Sequence, residues 1–129
     1  MKTFEIRIKT TEKTLKDFVR TYEGLQAGKR VTKKKGVFFT NVEAARNLLT
    51  PERIKLLTLI HERKPGSIYQ LAKMCDRDQK NVHADVALLE RYGILETRIR
   101  RGAPRTHRVP RVPYDEINLR IPLAAQPKL

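Results

Sequence analysis

Helix-breaking punctuation at close intervals constrains this chain more than any other feature. Thr50-Pro51-Glu52, Pro65-Gly66-Ser67, Asp76-Arg77-Asp78 and Gly93 cut residues 50–93 into three helical pieces. Thr50 is a cap residue, Pro51 suits the first helical position, and Glu52 complements the positive end of the helix dipole. The first piece carries a broad apolar stripe down to Lys64, formed by Ile54, Leu57 and His61 with Leu56 and Ile60 beside them. Pro65-Gly66 stops it. Ser67 caps a short second helix whose inner face is Ile68, Leu71, Ala72 and Cys75. Asp76-Arg77 turns the chain, Asp78 caps a third helix reaching about Tyr92, and Gly93 ends it. Beyond Gly93 the period changes to two: Leu95, Thr97 and Ile99 alternate with Glu96, Arg98 and Arg100. Gly102-Ala103-Pro104 breaks that strand, and Thr106–Val112 is expected to return beside it as a hairpin. Ile117, Leu119 and Ile121 form one more strand-like alternation.

The preceding residues read as strand then helix. Phe4, Ile6 and Ile8 alternate with Glu5, Arg7 and Lys9, the period of a half-buried strand. Thr11 can cap a helix with Leu15, Phe18, Val19, Tyr22 and Leu25 on one face, and Gly28 suits its stop. Lys29–Gly36 is a basic loop, Val37-Phe38-Phe39 a short strand, and Thr40-Asn41-Val42-Glu43 a capping box opening a helix through Leu49. The expected fold class is mainly α with a small β part (α+β). Residues 1–49 form an N-terminal strand–helix extension for dimerisation or partner binding, 50–121 the main domain, and 122–129 a flexible tail.

Charge then narrows the function. The formal net charge is +14, distributed as +7 on residues 1–49, +2 on 50–93 and +5 on 94–129. At 40% hydrophobic residues the chain can still form a core, so it is no disordered basic tail. No apolar run approaches the roughly 18–20 residues that span a bilayer. The N-terminus has no signal-peptide pattern. One cysteine builds neither an intrachain disulfide nor a cysteine zinc site. The expectation is a soluble, cytoplasmic protein with a polyanionic partner and no membrane association.

The third helix supplies a shape for that partner. With Val82 inward, Val86 lies at about 40° and Leu89 within about 20° of it at 100° per residue. Lys80, Ala84, Ala87 and Arg91 then point away, with Asn81 and His83 at the shoulders and Gln79 at the start. Small and hydrogen-bonding residues on such a face suit a major groove: Asn pairs with adenine, Lys reaches guanine or phosphate, and Ala admits a thymine methyl. Six arginines lie between Arg98 and Arg111 with no acid (98, 100, 101, 105, 108 and 111). Such clustering asks for phosphate, and the Gly102-Ala103-Pro104 tip would let Arg101 or Arg105 enter a minor groove. Lys33–Lys35 reads equally as a solvent loop or a phosphate contact.

Arg77-Asp78, Lys80-Asn81-Val82-His83, Asp85-Val86, Leu89 and Gly93-Ile94-Leu95 resemble the winged helix-turn-helix regulators of bacteria and archaea that are MarR-like in their DNA-binding part. Some of that group resemble antitoxin components of toxin–antitoxin pairs. The resemblance covers roughly residues 50–121 and is strongest over 71–95. It implies a sequence-specific double-stranded DNA-binding repressor whose third helix carries Lys80, Asn81 and His83 into the groove. A monomer would present one reading helix and limited contact area, so a homodimer on an inverted repeat is expected. Asp76 stands where many such motifs have glycine, and residues 1–49 match no DNA-binding pattern.

The remaining chemistry is sparse. His61, His83 and His107 sit on different elements without ligand spacing, so His61 reads as a packing residue and no metal or cofactor is expected. Cys75 reads as a small buried hydrophobe. No nucleophile–base order or carboxylate pair forms a catalytic site, so no enzyme is expected. None of the eight aromatics lies between Arg98 and Arg111, which disfavours single-strand stacking. Two other readings stand beside the regulator. One is an antitoxin that binds a cognate toxin through residues 1–49 and autoregulates; the other is a structured-RNA-binding protein.

Overall fold

The computed structural model describes residues 1–8, 36–102 and 106–123. The element order is β1 (Thr3–Ile8), β2 (Gly36–Phe39), α1 (Val42–Leu48), α2 (Pro51–Arg63), α3 (Ile68–Cys75), α4 (Gln79–Arg91), β3 (Glu96–Arg100), β4 (His107–Arg111) and β5 (Glu116–Arg120). This is a mixed α+β fold, with the β part larger than expected: one sheet runs β2-β1-β5 and a second is the β3-β4 hairpin. The Thr11-capped helix, the basic loop through Lys35, the residues Ala103, Pro104 and Arg105, and the tail beyond Leu123 lie outside the described residues.

The strand read from Phe4, Ile6 and Ile8 is central. All three are buried, while Thr3, Glu5 and Arg7 on the opposite face are partly exposed. Both neighbours are parallel. Ile6 pairs with Val37 on β2 and with Leu119 on β5. Gly36 is required where β2 meets β1, because a Cβ there would lie 2.3 Å from the Glu5 carbonyl oxygen. The sheet crosses the division expected at residues 49 and 50, and so does the core. Phe4, Ile6 and Ile8 share one buried cluster with Leu56, Leu71, Val82, Leu89 and Ile94. Phe4 meets Tyr114 edge-on at 5.1 Å between ring centroids.

The helices start and stop largely where the punctuation places them. Thr50, Ser67 and Asp78 are the caps of α2, α3 and α4, their side chains accepting from Arg53, Gln70 and Lys80 backbone N–H groups. Asn41, and not Thr40, caps α1: its Oδ1 accepts from Ala44 N at 2.8 Å. Starting one residue later moves Glu43 off the capping-box position. The end of α4 carries paired bonds from Gly93 N to Glu90 O and from Ile94 N to Leu89 O, with Gly93 at φ 84°. This is the Schellman closure, which needs a left-handed residue after the helix. The same closure ends α3, with Asp76 at φ 53° and Arg77 N bonded to Ala72 O. Asp76 thus adopts the conformation that glycine would supply.

Two burial expectations are corrected. On α2 the buried residues are Leu56, Leu57 and Ile60, whereas Ile54 and His61 are exposed. The stripe is rotated because Leu56 faces the core where His61 was expected to. Cys75 is only half-buried, although desolvation still pushes its thiol pKa up against the lowering effects of Arg77 and Lys55. On the hairpin, Ile99 is 68% exposed.

Candidate nucleic-acid interface

The phase of α4 follows from its apolar positions. Val82, Val86 and Leu89 are buried, which turns Gln79, Lys80, Asn81, His83, Ala84, Ala87 and Arg91 to solvent, each of them exposed. The one acid within the helix body before its last turn, Asp85, is withdrawn from that face. It accepts from Arg53 Nε at 3.1 Å and from Arg77 Nη2 at 2.8 Å. Arg53 also donates through Nη1 to the Asn47 carbonyl at the end of α1. Asp85 therefore ties α1, α2, the α3–α4 turn and α4 together through charge-assisted bonds. Nothing in the sequence pairs residues 53 and 85, so the bracing role of these three side chains was not foreseen.

The hairpin presents its arginines unequally. Arg98 lies opposite Val109, Arg100 opposite His107, Ile99 opposite Arg108, and Glu96 opposite Arg111. Directly opposed residues share a face, so Arg98, Arg100, His107 and Arg111 lie on one side, Thr97, Ile99, Arg108 and Pro110 on the other. Pro110 is buried, and β4 packs on α2 and α3. Thr97 Oγ1 donates to Glu90 Oε2 and accepts from Arg108 Nη2 at 3.2 Å, and Arg108 lies 3.7 Å from Glu90 Oε1. No acid lies between Arg98 and Arg111, but one reaches the cluster from outside that stretch. Glu90, from the end of α4, neutralises Arg108, which braces the hairpin onto the helix. Arg98, Arg100 and Arg101 are exposed and make no ion pair among the described residues. Arg105 lies outside them.

An open groove of about 490 Å³ joins the two elements. Ser67, Ile68 and Tyr69 from the start of α3, Gln79 and His83 from α4, and Thr106, His107 and Arg108 from the hairpin line it. None of these residues is acidic. Gln79, His83 and Arg108 are thereby brought together. Lys80, Asn81, Ala84 and Arg91 stay on the open helix face, and Arg98, Arg100 and Arg101 on the ribbon. The sequence reading missed Ser67, Tyr69, Thr106 and His107. The hairpin register could have flagged His107, since counting back from the turn sets it opposite Arg100. Tyr69 is 52% exposed with Lys73 Nζ 4.6 Å from its ring centroid, a cation–π contact at the groove's edge.

His61 lies away from this region. It sits 3.4 Å from Asp115 Oδ1, a partner 54 residues distant that local spacing does not reveal. The Lys2 backbone N–H donates to the same carboxylate at 2.9 Å, and these bonds hold the Asp115 pKa below its ordinary value. No group of His, Cys, Asp and Glu side chains among the described residues is arranged to hold a metal. No helix among them is long and apolar enough to cross a membrane. Against known families, the model named HVO_A0114 matches residues 48–119, running from the end of α1 through most of β5. No curated protein and no solved structure matches the chain.

Proposed function

The chain belongs to the HVO_A0114 family, and from its surface we propose a sequence-specific, double-stranded DNA-binding transcriptional regulator, a repressor of winged helix-turn-helix type. The observation that carries this reading is the acid-free groove between the open face of α4 and the hairpin. The open face of this helix carries small, amide and basic side chains, and the mid-helix carboxylate of Asp85 is turned inward onto Arg53 and Arg77. In this reading α4 enters the major groove. Asn81 pairs with adenine, Lys80 reaches guanine or phosphate, and Ala84 allows close approach. Arg98, Arg100 and Arg101 neutralise phosphates flanking the read bases, and Arg108 holds the hairpin at its angle to α4.

Gel shift against the DNA upstream of the protein's own gene, with random duplex as competitor, tests the reading. Binding should favour the upstream site and fall with salt at a log–log slope of about −0.9 per phosphate neutralised. Lys80→Ala and Asn81→Ala should lose preference for that site, and Arg101→Ala should weaken both DNAs alike. Equal affinity for the site and the competitor would overturn it.

A further inference from the structure

The hairpin's arginines differ in how they are held. Arg98, Arg100 and Arg101 are exposed and make no ion pair among the described residues. Such side chains follow a phosphate wherever the duplex lies, so they add to the binding of any sequence. Arg108 is held from behind. Its Nη2 donates to Thr97 Oγ1 at 3.2 Å and lies 3.7 Å from Glu90 Oε1, and Thr97 in turn donates to Glu90 Oε2. These contacts all use Nη2, and among the described residues Nε and Nη1 have no partner. Arg108 also lines the groove between α4 and the hairpin, and its side chain is 58% exposed. One guanidinium therefore has a filled side and an open side, and its five N–H donors suffice for both. At 100° per residue Glu90 lies within about 20° of both Gln79 and His83. The residues of α4 that line the groove and the carboxylate that holds Arg108 thus share one stripe. Across the ribbon Arg108 faces Ile99, whose side chain has no polar group to offer it.

Resting on the DNA-binding reading, we propose that Glu90 and Thr97 are positioning residues that set the preference for one DNA site over others by aiming Arg108 at a backbone phosphate in the groove. Phosphate contacts fix the register of a reading helix on its duplex. An arginine held in place before binding has already lost its rotamer freedom, so it rewards a phosphate that arrives at one position and no other. A duplex on which α4 is fully seated brings a phosphate to the open side of Arg108. A duplex lying loosely across the ribbon meets Arg98, Arg100 and Arg101 but not that open side. It also meets the partly exposed carboxylate of Glu90, which repels it. Glu90 thus acts twice on the same ratio, favouring the seated complex through Arg108 and disfavouring the loose one through its own charge.

Gel-shift titrations of the full chain against the upstream duplex and a random duplex, each over a salt series, measure that ratio. Glu90→Gln removes the carboxylate and releases Arg108. Affinity for the random duplex should rise about threefold at low salt, with a salt slope steeper by about 0.9, while affinity for the upstream site does not rise. In an Arg108→Gln background the same substitution should leave the preference where Arg108→Gln alone puts it. Thr97→Val is the independent variant, since it keeps the side-chain shape and the net charge. It should lower the preference about threefold and leave both salt slopes in place, whereas a role confined to bracing would lower the thermal midpoint and leave the preference intact. If the wild type prefers the upstream site, three results would each overturn the positioning role alone: Glu90→Gln shifting both DNAs equally, its effect persisting without Arg108, or an unchanged preference in Thr97→Val. A wild type with no preference would overturn the DNA-binding reading and the positioning role with it.

Discussion

The two sheets of this molecule use similar residues and stand in opposite relation to water. In β2-β1-β5 the central strand buries every second side chain, with Phe4, Ile6 and Ile8 at 1%, 0% and 1% exposure. In the β3-β4 hairpin only Pro110 is buried, and Ile99 occupies an alternation as regular as that of Ile6 yet lies in solvent. The first sheet is held by burial of apolar area, the second by the polar contacts of Thr97 and Arg108 with Glu90. Substitutions in one should cost stability, and substitutions in the other should cost binding.

The sharpest contrast is between two isoleucines. Ile6→Ala should destabilise the fold by about 3 kcal/mol, the range for a fully buried large-to-small change, while Ile99→Ala should stay within about 0.5 kcal/mol. Urea unfolding measures both, and equal losses would break the comparison. Next comes the brace under α4. Asp85→Ala strands two part-buried guanidinium groups and should cost about 2 kcal/mol, with Asp85→Asn recovering part of it. The hairpin arginines should behave in the opposite sense. Arg98→Ala and Arg100→Ala should each lower duplex affinity about tenfold at low salt and reduce the salt slope by about 0.9, leaving the thermal midpoint in place.

Smaller effects refine the picture at the joints. Asp76 holds a left-handed conformation with a side chain attached, so Asp76→Gly should stabilise by about 0.5–1 kcal/mol in thermal unfolding. The smallest effect is at Asp115. Its folded-state pKa is lowered, so its contribution to stability is present above the ordinary carboxylate range and is lost as pH falls through the lowered value. Asp115→Asn should flatten that part of the pH–stability curve, and an unchanged acid limb would contradict the role of the Lys2 and His61 contacts.

Sequence reading succeeded where the determining forces are local. Thr50, Ser67, Asp78 and Gly93 each act on backbone groups within a few residues, and Val82, Val86 and Leu89 set a helix phase that neighbouring elements do not alter. It erred where two local answers compete. Thr40 and Asn41 both cap well, and the end of β2 at Phe39 decides for Asn41. On α2 the apolar stripe is wide enough to admit two phases, and only packing selects Leu56 over Ile54 and His61. It was blind where partners are distant: Arg53 with Asp85, His61 with Asp115, and β1 with β5 across 113 residues. Of the candidate site, the α4 face was readable because it is one helix. The groove was not, because its walls come from α3, α4 and the hairpin.

The central claim is that α4 reads duplex DNA and the hairpin grips it. Selection of bound sequences from a random duplex pool, with structured RNA as competitor at matched salt, tests it most directly. An enriched motif that vanishes with Asn81→Ala and survives the RNA competitor is the predicted result. A pool that stays random, or one displaced equally by structured RNA, would contradict it.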